Sequence, residues 1–133
     1  MKQFEKRYII PASVKTVYSA WISPNTLVPP ATRIEIDPIV GGNLVIHTKF
    51  CDVGSEMRGR FLAIEPYKRL VYNWEWNQDG QVSQVTVNFS GIGSDRTKIV
   101  LSHSGFRNSE SATLHSDGWE HYFEGFIKLV ADK

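Results

Sequence analysis

A chain of 133 residues has the size of one domain, and its 41% hydrophobic and 22% charged residues suit a sequence that folds around a core. A formal net charge of +1 supplies no basic footprint for nucleic acid or an anionic membrane surface. The lone cysteine, Cys51, excludes an intramolecular disulfide and a thiolate-rich metal centre, and is expected to be a small buried apolar side chain.

The segment Met1 to Ile10 starts basic but lacks the apolar run of a signal peptide. No window approaches the roughly 20 apolar residues of a membrane span, so the cytoplasm is the expected address. Phe4, Tyr8 and Ile10 alternate on one side of a first strand, interrupted at Lys6 and closed by Pro11. Ser13 can cap a short helix over Val14–Trp21, with Val14, Val17, Tyr18 and Trp21 as its buried stripe. Ser23-Pro24 stops it, and Asn25 to Val28 is expected to form a second short helix before Pro29-Pro30.

From Arg33 the texture becomes period-two. Ile34 and Ile36 are followed by a turn at Pro38 to Gly42, then by Leu44, Ile46, Thr48 and Phe50. Val53-Gly54-Ser55 reads as the next turn, and Met57 to Ile64 as a strand with apolar residues on both faces. If its arginine face pointed inward, Arg58 could hold a carboxylate; outward-facing arginines are the commoner arrangement, because a buried unpaired guanidinium is costly. Leu70, Tyr72, Trp74 and Trp76 then alternate up to Asp79-Gly80, a hairpin signal, before Val85, Val87 and Phe89 and finally Ile99, Leu101 and His103. Six successive strands on short turns make an antiparallel meander.

A last helix from about Thr113 carries Trp119, Tyr122, Phe123, Phe126, Ile127 and Val130 at helical spacing, with Glu120, Glu124 and Lys128 opposite. Gly118 and Gly125 inside it are expected to admit close approach of the sheet. The fold class is therefore α+β, a single domain whose curved seven-stranded antiparallel sheet wraps the long C-terminal helix and leaves room for an apolar pocket.

This order of elements resembles the helix-grip superfamily, often labelled SRPBCC, which includes START domains, the birch-pollen allergen and polyketide cyclases. Its activator-of-heat-shock-ATPase-like branch is the nearest in appearance. The resemblance is carried by Ile10 to Trp21, Asp37-Pro38-Ile39-Val40-Gly41-Gly42, Gly59 to Pro66, Arg69 to Trp74, Gln84 to Val87, Thr97 to Ser104 and Gly118-Trp119. Such proteins often carry a tryptophan where this chain reads Leu27-Val28-Pro29-Pro30, which implies a differently shaped end of the pocket. A homodimer joined through sheet edges and a chaperone partner are further implications of the resemblance.

The chain offers no Gly-x-Ser-x-Gly elbow, and Gly41-Gly42 and Gly91-Ile92-Gly93 fit turns rather than phosphate loops. His115 and His121 are six apart and point in different directions, so neither a metal site nor a cofactor is expected. His47 shares the solvent phase of its strand, whereas His103 shares the inward phase of Ile99 and Leu101. It is either a hydrogen-bonded core histidine or the polar anchor of the pocket. Tyr72, Trp74, Trp76, His103, Trp119 and Phe123 form the candidate ligand-binding set, and no catalytic residue is assigned. The leading reading is a non-catalytic domain that binds a small hydrophobic ligand. The alternatives are a cyclase- or dehydratase-like enzyme using His103, with Tyr72 or Arg58 as electrophilic helper, and a module that stimulates a heat-shock ATPase.

Overall fold

The computed structural model describes residues 2–131; Met1, the first residue of the basic N-terminal run, lies outside them, as do residues 132 and 133. Strand β1 (Phe4–Ile10) and helix α1 (Val14–Trp21) precede β2 (Ala31–Ile36), β3 (Asn43–Phe50), β4 (Val53–Glu65), β5 (Arg69–Trp76), β6 (Ser83–Ile92) and β7 (Arg96–Ser104), and helix α2 (Ser109–Ala131) ends the chain. All seven strands form one sheet in the order β1-β7-β6-β5-β4-β3-β2, with every neighbour antiparallel. This is the α+β helix-grip arrangement, with two helices among the described residues. Residues 25–28 do not form the expected second short helix. Pro24 and Pro29-Pro30 bracket too few residues to nucleate one, and the segment turns instead, pinned by the Thr26 hydroxyl donating to the Ala20 carbonyl at 2.7 Å.

Local chemistry sets the corners. The Ser13 hydroxyl accepts the Thr16 amide at 3.2 Å and caps α1. Asn108 does the same for α2 through Ser111 N at 2.8 Å, so that helix starts four residues before Thr113. The Asp37–Gly42 turn requires both glycines: Gly41 has φ +85°, and a Cβ on Gly42 would lie 2.1 Å from the Asp37 carbonyl oxygen.

The β3–β4 turn falls earlier than expected. Phe50 pairs with Val53, so Cys51 and Asp52 form the two-residue turn in left-handed conformation, and Val53 to Ser55 already belong to β4. Cys51 is consequently exposed rather than buried, because a turn at the hairpin tip has no core to enter.

Strand β4 also explains its apolar residues on both faces. Phe61 pairs with Tyr72 and Ala63 with Val71, leaving Leu62 as an extra, exposed residue. The bulge resets the phase, so Met57, Phe61 and Ile64 all serve the concave side while Arg58 and Arg60 face outward. A second irregularity lies between Ala31 and Arg33 in β2. Both bend the sheet.

Helix α2 lies over only one half of the concave face. Phe123 stacks on Tyr8 of β1 at 3.9 Å, and Lys6, which breaks the apolar pattern of β1, forms an ion pair with Glu120 on the helix. Ile34, Ile36, Leu44, Ile46 and Phe61 of β2 to β4 form the other half. Gly125 does not meet the sheet: its position is met by Val28 of the 22–30 segment, whose Cγ1 would be 2.5 Å from an added Cβ. Gly118 has nothing within 4 Å.

Candidate functional site

The uncovered half of the concave face is a cavity of about 360 Å³. Its floor is Ile34, Ile36, Leu44, Ile46 and Phe61; one wall is Tyr72, Trp74 and Trp76 of β5. Helix α2 contributes Leu114, His115, Gly118, Trp119, His121 and Tyr122, and the end of α1 with the following segment contributes Trp21, Ile22, Thr26 and Val28 to Ala31. All four tryptophans of the chain line this space, and no Lys, Arg, Asp or Glu does.

The segment is held across the opening by two contacts to α2. The His121 imidazole donates from Nε2 to the Pro29 carbonyl at 2.7 Å, and Val28 sits against Gly125. The departure at Leu27-Val28-Pro29-Pro30 thus shapes one rim, with Val28, Pro29 and Pro30 lining it.

Polar groups in the wall are few. Trp21 Nε1 donates to the Tyr72 hydroxyl at 3.4 Å. Burial raises the Tyr72 phenol well above its ordinary value, an effect only partly offset by that bond. Burial raises Tyr122 as well, with the nearby Tyr72 adding to it. Both are neutral donors at any physiological pH. His115 Nδ1 donates to the Ser111 carbonyl at 2.9 Å.

Of the six candidate residues, Tyr72, Trp74, Trp76 and Trp119 are brought together around the cavity, while His103 and Phe123 lie behind its wall. His103 is wholly buried. An indole N–H can only donate, so Trp119 Nε1 donating to Nδ1 at 3.0 Å fixes the tautomer. Nε2–H then donates to Ser83 Oγ at 2.7 Å, and that hydroxyl reaches the Trp74 carbonyl at 3.4 Å. Burial, and secondarily His115, pushes the imidazole down to about 3. With both nitrogens engaged and Trp74 and Trp119 between it and the cavity, His103 braces two wall residues and has no open nitrogen for proton transfer. Arg58 is exposed and ion-paired with Glu56 on the convex side.

Trp21 and Tyr122 were legible only as members of helix stripes. Tyr122 follows Trp119 by three residues, and that neighbouring position on the helix was the available signal.

Residues 11–131 match the family described as activator of Hsp90 ATPase homolog 1-like protein. The chain belongs to this family. Solved structures agree on the fold of this chain. A protein from Chromobacterium violaceum is 16% identical with a TM-score of 0.84, over 97% of this chain and 96% of that one. An Hsp90 activator from Plasmodium falciparum is 21% identical with a TM-score of 0.79, over 99% and 97%. CalU16 from Micromonospora echinospora is 26% identical with a TM-score of 0.75, over 94% and 75%. No curated protein sequence matches the chain.

Proposed function

We propose that this Hsp90-activator-like domain binds a small, uncharged, largely apolar molecule in the cavity and performs no chemistry on it. The observation that carries the reading is a space of about 360 Å³ walled by four tryptophans and two tyrosines without one carboxylate, ammonium or guanidinium. Removing a ligand's apolar surface from water there gains roughly 25 cal/mol per Å². An ionised ligand would lose its hydration with no counter-charge to replace it. The cavity lies in the size range of small-molecule sites, which span about 300–1,000 Å³.

Native mass spectrometry of freshly purified protein, followed by extraction of anything bound under denaturing conditions, tests the proposal. A discrete added mass that is lost on unfolding and is neutral and apolar supports it. An unliganded mass that gains nothing from a mixed library of neutral apolar compounds removes it.

A second reading comes from the family's description and from the Plasmodium relative, an Hsp90 activator. On that reading the domain docks on a heat-shock ATPase by its outer surface. Addition of the purified domain to Hsp90 should then raise ATP hydrolysis, and an unchanged rate over a range of molar ratios would remove this role.

A further inference from the structure

Two phenols of the cavity wall have no acceptor for their protons among the described residues, and the buried Trp74 Nε1–H of the same wall also lacks a partner. Tyr72 is 3% exposed and its oxygen accepts from Trp21 Nε1, but among the described residues no acceptor lies within hydrogen-bond reach of its own O–H. Tyr122 lines the same cavity, and its hydroxyl has no hydrogen-bond partner among the described residues. The two are tied together by Trp21, whose indole N–H is on the Tyr72 oxygen and whose ring meets the edge of the Tyr122 ring at 5.4 Å. A donor that a ligand covers without satisfying costs about 1–3 kcal/mol, so a ligand that accepts from these phenols is selected over one that does not.

The chemistry of that ligand follows from what the site lacks. A carboxylate or phosphate could accept both protons but would be buried without a permanent cation, since no Lys or Arg lines the space and its two histidines already bond the Ser111 and Pro29 carbonyls. An alcohol would accept one proton and bring another of its own. An sp² carbonyl oxygen is acceptor-only and offers two lone-pair directions. The remaining wall is aromatic: Trp21 is stacked parallel to Trp119 within 11°, and Trp74 and Trp76 stand edge to face. Flat rings meet such walls best.

We infer that the ligand is an uncharged cyclic compound bearing a ketone, ester or quinone carbonyl, and that Tyr72 and Tyr122 are the pair that recognises this oxygen. The inference rests on the cavity-binding reading above and adds the chemical class to it.

Three probes of matched shape separate the possibilities: fluorene, 9-fluorenone and 9-hydroxyfluorene, titrated calorimetrically into the wild-type protein and into Tyr72→Phe and Tyr122→Phe variants. Fluorenone should bind about tenfold more tightly than fluorene or the alcohol, the worth of one to two net hydrogen bonds. The carbonyl stretch of bound fluorenone should move to lower wavenumber in the wild type. Each Phe variant should bind fluorene unchanged, lose most of the fluorenone preference and return part of that stretch, which a merely structural role of the phenols would not produce. Equal binding of fluorene and fluorenone, or a carbonyl stretch indifferent to both substitutions, overturns the carbonyl inference and leaves the cavity reading standing. Binding of none of the three overturns both.

Discussion

His103 illustrates how a residue type that suggests catalysis can serve architecture. Its ring joins β7 to α2 through Trp119 and to β6 through Ser83, whose hydroxyl reaches on to the Trp74 carbonyl of β5. The price is a pH dependence. Folded His103 takes a proton only near pH 3, whereas in the unfolded chain it does so near 6.5. The unfolded state therefore binds more protons between those values. Its stability contribution is complete above about pH 6.5 and is lost as pH falls toward 3, by up to about 1.4 kcal/mol per pH unit. Urea midpoints measured across this window should show that slope in the wild type, and a His103→Asn variant should lack that component. At neutral pH the same variant should be destabilised by about 1–3 kcal/mol, because the shorter amide can still accept from the Trp119 N–H but no longer reaches the buried Ser83 hydroxyl.

At the scale of the elements, two glycines on α2 have opposite roles. Gly118 faces open cavity, so Gly118→Ala should recover helix propensity of up to about 1 kcal/mol without a clash. Gly125 meets Val28, a buried β-branched side chain with little rotamer freedom. Gly125→Ala should therefore cost about 1–2 kcal/mol despite its better propensity, by pushing the 22–30 segment off the helix. Chemical denaturation of both variants checks the difference in sign. In the double variant Gly125→Ala with Val28→Ala the clash with Cγ1 is relieved, so its loss should be smaller than the sum of the two single losses, and the interaction energy reads the coupling directly. Elsewhere the β4 bulge at Leu62 and the hairpin turn at Cys51-Asp52 show how a one-residue offset changes which side chains meet the core. Alternation alone cannot place an unpaired residue, so it leaves a strand with apolar residues on both faces ambiguous and cannot tell a turn cysteine from a buried one.

For the molecule as a whole, a bound neutral ligand should stabilise the fold by mass action, about 2.7 kcal/mol at a hundredfold excess over Kd. A domain of this size should then melt about 10 °C higher, a shift that differential scanning calorimetry would register. Because all four tryptophans border the cavity, intrinsic fluorescence should respond to the same titration with the same Kd. A thermal shift without a fluorescence change would place the ligand elsewhere. Among the described residues, no helix is long and apolar enough to cross a membrane.

The sequence by itself determined the α+β class, the seven strands, the cap at Ser13, the inward phase of His103 and the aromatic face of β5. Each of these is written in short-range periodicity or in a single capping or turn residue, and local sterics act on neighbours in the chain. Whether the concave face was filled or open lay beyond that range. It depends on where α2 settles, over β1 and not over β2 to β4, and on the 22–30 segment reaching back to Gly125 and His121. The same placement put Tyr122 in the cavity wall and His103 behind it, though both carry inward-facing patterns. Only contacts between residues about 50 to 115 positions apart decide that, because cavity volume is the difference between a sheet's curvature and the side chains that happen to meet across it.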